Sequence, residues 1–349
     1  AQHAGAGIAG GRRMSTAPRS VLALVVSRIG DTLLCTPALR ALKETWPDCQ
    51  LTVMAHPGRL PLLVGLPWID VLLPWRPWRR WLTLLPGAAR YDLAFVFHPD
   101  RRQLDFARRS AVRVVTEAIP GLAANERLLM PALPAEPMVA VEQRLRLVRA
   151  AGADSTDQRL AYDVSAEERQ SAQARLADLG VAGHHPLVAL QLKSFPTKAH
   201  RDWPAESFAA LIRCLAERYP DARFVVTGDA QSVADALRLG ARFPGLVVSL
   251  AGQCGLREAA AVLAQMDLYV GVDTGPTHLA GALGVPMVAL YHAAYPGRYL
   301  APRQHPRCSV IEHPMTGCAG AAQADMAAIS VEKVFEAAVA CLQAQMDIR

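Results

Sequence analysis

Apolar residues in this chain come in short uninterrupted runs that alternate with stretches of helical period. The first run, VLALVVS (Val21 to Ser27), is rich in β-branched residues and lacks a polar alternate, as a strand buried on both faces requires. RIGD follows as a turn, and a helical segment then runs through Leu42 to a stop at Trp46-Pro47. Leu51 to Met54 and Leu93 to Phe97 read as further strands, with helical or irregular stretches between them. A charged amphipathic helix spans Ser165 to Leu179 and ends in the loop GVAGHHP. Beyond it the alternation is strict: LVALQL, a helix from Pro204 to Arg218, FVVTG, a helix from Gln231, LVVSL, a helix from Leu256, LYVGV, a helix from Pro276, and MVALY. Such alternation predicts an α/β protein with two Rossmann-like units built on parallel sheets. After Tyr291 the chain turns irregular and rich in Pro, His and Arg. A last helix, Val331 to Met346 with Ser330 as N-cap, gathers Val331, Val334, Phe335, Ala338 and Leu342 on one face. That face needs a partner, and the expectation is that it crosses back to the first domain.

A length of 349 residues fits two domains of ordinary size, and 52% hydrophobic against 19% charged residues excludes disorder. The pattern divides the chain into a tail or linker over 1–17, a first Rossmann-like domain over 18–164 and a linker helix and loop over 165–185. A second Rossmann-like domain follows over 186–328, and the last helix occupies 329–349. AQHAGAGIAGGRR before Met14 has no sustained apolar core, so it reads as upstream readthrough, a linker or a tail, not a secretory signal. No apolar run has the length of a membrane-spanning helix. Seven scattered cysteines without a C-x-x-C pair argue against a disulfide framework or zinc site and for a reducing cytoplasm. The net charge of +6 is Arg-rich, with much of the excess between Arg76 and Arg113. Nucleic acid, an anionic sugar, a nucleotide or a membrane surface would each suit that charge, but no RNP, zinc-finger or helix-turn-helix pattern supports nucleic acid.

Candidate chemistry collects after strands. GVDTGPTHLAGALGVPMVALY (Gly271 to Tyr291) is a strand end, a turn of small residues, and a helix opening at Pro276 with Thr274 or Gly275 as cap. Backbone N–H groups left open at the positive end of a helix bind phosphate; an ordinary α/β turn would use the same residues. In SRIGDTLLCTPALRALKETWP, Gly30 and Asp31 fall just past the first strand, where open sheets bind ligands. Asp31 there serves either as a general base facing a cleft or as the cap of the next helix. LKSFPTKAHRDWP places Ser194, Thr197, Lys198, His200 and Arg201 on one loop, suited to a pyrophosphate or to plain solvation. PWRPWRRWLTLLPG (Pro74 to Gly87) interleaves tryptophan with arginine; four of the six Trp lie between Trp68 and Trp81. It suits a headgroup interface, sugar stacking or a partly buried lid. G-x-G-x-x-G at Gly5 to Gly10 has no strand before it and is set aside. Neither a Walker A lysine motif nor a D-x-D pair occurs.

Together, R-I-G-D-x-x-x-x-T-P-A-L-R-x-L near the start and V-D-T-G-P-T-H-L-A-x-A-L-G-x-P near the end resemble the ADP-heptose–lipopolysaccharide heptosyltransferases, glycosyltransferase family 9. Weaker agreements are Leu250 to Glu258, Ala199 to Pro204 and the segment opening at Ile329, and the resemblance runs from about Val21 to Leu342. It implies a GT-B fold, two Rossmann-like domains facing a central cleft, and inverting transfer of a heptose from ADP-heptose to a lipopolysaccharide inner-core acceptor. By resemblance Asp31 is the general base, and Gly30 lets the backbone approach the donor. Asp273, Thr274, Gly275, Pro276, Thr277 and His278 surround the sugar and diphosphate. Arg201 stands where the family usually has Lys, so Lys198 shares or takes over the phosphate contact, with Ser194 beside them. Leu256 lines the adenine pocket, and Gly228 and Asp229 lie near the ribose. Arg28, His98, Arg101 and Arg102 are candidates for holding the anionic acceptor. No metal and no cofactor beyond the donor are expected, and the implied place is the cytoplasm, peripheral on the inner membrane. The chain departs from the family in keeping only Cys308 and Cys318 of a C-terminal cysteine cluster, and in its Trp-rich segment. A related glycosyltransferase or epimerase using another nucleotide sugar, or a catalytically silent nucleotide-binding envelope protein, would share these motifs.

Overall fold

The computed structural model describes residues 17–76, 78, 91–132 and 134–346. The first half holds six parallel strands: β1 (Ser20–Val25), β2 (Gln50–Ala55), β3 (Val71–Pro74), β4 (Tyr91–Val96), β5 (Ala111–Thr116) and β6 (Leu128–Leu129), in the order β3-β2-β1-β4-β5-β6. The second half repeats the plan with β7 (Leu187–Gln191), β8 (Arg223–Thr227), β9 (Val247–Ser249), β10 (Leu268–Val272), β11 (Met287–Tyr291) and β12 (Cys308–Glu312), in the order β12-β11-β10-β7-β8-β9. Each order is that of a doubly wound Rossmann sheet. The apolar runs are its central strands: every residue of β7, β10 and β11 is buried, as strands covered on both faces must be.

In the first half the helices are α1 (Ile29–Leu34), α2 (Thr36–Thr45), α3 (Arg101–Ser110) and α4 (Ala140–Ala150). They are followed by α5 (Ala166–Asp178), α6 (Ala205–Arg218), α7 (Val233–Arg242), α8 (Leu256–Leu263), α9 (Gly275–Ala282), α10 (Gly297–Leu300) and α11 (Val331–Met346). Ser165 and Glu168 form a reciprocal capping box that starts α5 where the sequence places it. Among the described residues no helix is long and apolar enough to cross a membrane.

Several expectations are corrected. RIGD is not a turn, because α1 already begins at Ile29 and Asp31 lies in its first helical turn. Strands β3, β5, β6 and β12 went unread, since each is short, half-buried or interrupted by a charge such as Arg113. The last helix does bury the expected face, with Val334, Ala338, Cys341 and Leu342 in the core, but it does not cross back. It packs on α6 and on β10, β11 and β12 of its own half. The Trp203 indole donates to Ile329 O at 2.9 Å, fixing the chain on that side just before the helix starts.

The two halves meet where α1 faces α9. A Cβ on Gly30 would lie 2.6 Å from His278 Cδ2, and one on Gly275 would lie 2.8 Å from Ile29 Cβ. Both glycines are therefore required by close approach across the cleft. Gly275→Ala should cost about 1–3 kcal/mol through overpacking, read as a lower midpoint in thermal unfolding without ligand; an unchanged midpoint would mean that the halves do not close on each other in solution.

Candidate active site

Ligand crevices in open parallel sheets lie beyond the carboxyl ends of the strands, where the strand order reverses. The reversals here fall between β1 and β4 and between β7 and β10. Asp31 follows β1, His98 follows β4, Ser194 to Arg201 follow β7, and Asp273 to His278 follow β10.

On the first wall, α1 has Arg28 at its N-cap and no side-chain cap, so Asp31 is free of that duty. Asp31 Oδ1 lies 3.6 Å from His98 Nε2 and 3.7 Å from Arg144 Nη2. Arg144, buried on α4, pairs with Glu117 at 2.8 Å and reaches His98 Nε2 from Nη2 at 2.6 Å. A guanidinium only donates, so a neutral His98 meets Arg144 as an acceptor at Nε2, and Arg144 stays charged beside Asp31 whichever form the ring takes. Burial raises the Asp31 carboxyl, but His98 and Arg144 outweigh burial and bring it to about 2.

On the second wall, Arg201 Nη1 donates to Asp273 Oδ2 at 2.6 Å, and its Cζ lies 3.5 Å from the centre of the Tyr295 ring. Arg201 Nε is buried without a partner, so the fork is held on two sides with a donor to spare. Lys198 Nζ stands 5.3 Å from the same ring. Burial holds the Asp273 carboxyl above its ordinary value although His278 and Arg201 pull it down. Burial likewise lowers the pKa of His278, whose Nδ1 has no partner. Thr274 occupies the N-cap of α9 but turns its hydroxyl back to Val272 O at 3.2 Å, leaving the first-turn N–H groups without a side-chain cap.

Two adjoining cavities lie between these walls. One, of about 320 Å³, is lined by Arg28, Gly30, Asp31, Arg144, Lys198, Arg201, Asp273, His278 and Tyr295. The other, of about 340 Å³, is lined by Arg59, Lys193, Gly228, Asp229, Leu256 and Pro276 among others. Ile29, Ser194, Phe195, Thr274 and Gly275 line both. Gly228 has φ +138°, and a Cβ there would lie 2.4 Å from Ser232 Oγ, so only glycine fits this rim. Among the described residues no group of three or more His, Cys, Asp or Glu could hold a metal ion.

Not every expected residue faces the cleft. Gly30 lines the cavity and also makes room for His278 of the other half. The Thr277 hydroxyl points into the core, donating to Val272 O at 2.6 Å and meeting Tyr269 at 2.9 Å, and lines neither cavity. Ser194 lies at the junction of both cavities, with its hydroxyl tied to Lys198 O at 2.6 Å. Asp229 caps the short turn Ala230–Ser232 while standing exposed at the rim. Arg28 reaches across to the Phe195 ring at 5.6 Å. Arg101 and Arg102 are exposed on the first turn of α3 and line neither cavity. Of the Trp-rich segment, Trp75 packs edge-on against Phe106 and Trp78 is exposed, while Arg79, Arg80 and Trp81 lie outside the described residues.

The sequence reading missed Lys193, Arg144 and Tyr295. Lys193 pairs with Asp235 at 2.9 Å and was findable, since it directly follows the strand LVALQL. Arg144 carries no local mark within AVEQRLRLVRA, and Tyr295 falls in a stretch without period.

Asp31 has a folded-state carboxyl below its unfolded value of 3.8. The stability it brings is thus present above pH 3.8 and lost as pH falls toward about 2. In Arg144→Gln the Asp31 carboxyl should titrate at higher pH and that loss should begin earlier, as followed by carbon-detected NMR. Titration still near 2 would assign the depression to His98 instead.

Comparison with known proteins agrees with this architecture. Residues 123–319, more than half of the chain, match glycosyltransferase family 9 (heptosyltransferase). Lipopolysaccharide heptosyltransferase 3 of Escherichia coli is 23% identical over 280 residues, covering 76% of this chain and 81% of that protein. Among solved structures, a glycosyl transferase family 9 protein from Veillonella parvula superposes with a TM-score of 0.80 at 20% identity, covering 95% of this chain and 100% of the other. The E. coli ADP-heptose lps heptosyltransferase II gives 0.74 at 20% identity, covering 94% and 99%. These structures share the two-sheet GT-B architecture. The chain belongs to glycosyltransferase family 9, the heptosyltransferases, and is a glycosyltransferase.

Proposed function

We propose that this enzyme transfers a heptose, with inversion, from ADP-heptose to an inner-core acceptor of lipopolysaccharide, with Asp31 as general base. The observation that carries the reading is the cavity in which Asp31 on one wall faces Arg201, Lys198 and the N-terminus of α9 on the other. The names of the relatives, one for lipopolysaccharide and one for ADP-heptose, agree with it.

The nucleoside would occupy the cavity edged by Gly228, Asp229 and Leu256, with the diphosphate at Thr274, Gly275 and Pro276. An acceptor hydroxyl attacks the anomeric carbon from the face opposite the diphosphate. The sugar–phosphate bond breaks, its electron pair leaves on ADP, and the hydroxyl proton passes to Asp31. A carboxyl held at about 2 is a weak base. Proton transfer therefore comes late, once bond formation has made the hydroxyl acidic. Arg201, Lys198 and the uncapped N–H groups of α9 meet the charge that grows on the leaving group, so the mechanism calls for no cofactor beyond the sugar nucleotide. His278, kept neutral by burial, lines the cavity where the sugar would sit. Arg28 and His98 would orient the acceptor beside Asp31. The exposed Arg101 and Arg102 suit its acidic groups and the anionic cytoplasmic face of the inner membrane.

Asp31→Asn should lower turnover by roughly 10²- to 10⁴-fold while ADP affinity changes little; retention of most turnover in a single-turnover assay would discard Asp31 as base. Arg201→Ala should weaken ADP binding in calorimetry by roughly tenfold or more, and more than Lys198→Ala does. Equal, negligible effects would remove the phosphate contact from this loop.

A further inference from the structure

Arg59 belongs to the first half of the chain, yet it lines the 340 Å³ cavity that the second half mostly builds. It sits in the short 3-10 turn Pro57–Leu62 that follows β2. The turn is stiff for identifiable reasons. Pro57 and Pro61 fix two of its φ angles, and His56 Nδ1 accepts from Gly58 N at 3.1 Å. It is also held from the other half. Arg257 of α8 donates to Pro61 O at 3.0 Å while its Nε and Nη2 fork the Glu168 carboxylate at 2.5 Å each. One arginine thus pins the turn onto the second half, and another from that turn lines the cavity.

The Arg59 guanidinium is under-used where it stands. Nη1 donates to Gly58 O at 3.1 Å, and Nε is buried without a partner. The other cation of that lining, Lys193, is neutralised by Asp235 at 2.9 Å and Asp202 at 3.6 Å. No such acid is paired with Arg59 among the described residues. A permanently charged fork with open donors, ordered in advance on a rigid turn at a cavity wall, is suited to a pair of anionic oxygens.

We infer that Arg59 binds the diphosphate of the nucleotide donor from across the cleft, so that nucleotide binding draws the two halves together. The inference rests on the reading of this cavity as the nucleotide site. Ile29, the other first-half residue in the lining, already abuts Gly275, so the two halves meet at the start of α9 on the wall of the same cavity that Arg59 lines. A ligand with contacts on both halves favours the closed arrangement by its differential affinity for it.

Calorimetric titration of ADP into the full chain, at several sodium chloride concentrations, tests this with Arg59→Gln and Arg59→Lys. The Gln variant should bind ADP roughly 10- to 100-fold more weakly and with a flatter dependence on salt. The Lys variant should keep the salt dependence and part of the affinity, and the melting temperature without ligand should stay near that of the unaltered protein. Unchanged ADP affinity in Arg59→Gln, or weaker binding with the original salt dependence, would overturn the role of Arg59 while leaving the nucleotide site standing. Failure of the unaltered protein to bind ADP would overturn the nucleotide reading and this inference with it.

Discussion

The first turns of α1 and α9 meet with no side chain on Gly30 or Gly275 to keep them apart. Much else depends on that contact. It brings a carboxylate in the first turn of one helix to the same cavity as the uncapped N-terminus of the other. A methyl group at either glycine would occupy space now held by His278 or Ile29. The groups that face each other across the cavity would then be displaced, and misplacement on the ångström scale is costly in group transfer.

Charge in the cleft is arranged by the same economy. Each acid keeps a cation from its own half, Arg144 for Asp31 and Arg201 for Asp273. The two acids still feel each other, since Asp31 is among the influences that raise the Asp273 carboxyl. Lys198 and Arg28 remain as further cations in the lining, which gives the cavity a positive surplus for an anionic ligand. The Tyr295 ring, 3.5 Å from the Arg201 guanidinium carbon, adds a cation–π contact that helps to hold the fork in place.

Central strands were readable because burial on both faces forces apolar runs, as in LVALQ, LYVGV and MVALY. Strands such as β3 and β12 sit at sheet edges, where half-burial weakens that pressure, and they passed for irregular chain. The last helix teaches a related lesson. Its apolar face was plain from helical period, but period states only that a face is buried and not against what. The partner, α6 with β10 to β12, follows from where Trp203 and Ile329 hold the chain.

By itself the sequence determined the two-unit alternation, the turn at Asp273 to His278 and the position of Asp31 after the first strand, because these rest on local sterics, hydrogen bonding and strand burial. Tertiary structure alone decided what surrounds them. His98 and Arg144 reach Asp31, and Glu117 reaches Arg144, from separate elements, and only the doubly wound strand order brings those elements together. It also decided that Thr277 faces the core while Pro276, one position earlier, lines a cavity, because the packing of α9 on its sheet fixes the rotation of the helix. Electrostatic environment is a sum over neighbours in space, and for Asp31 most of those neighbours are distant along the chain.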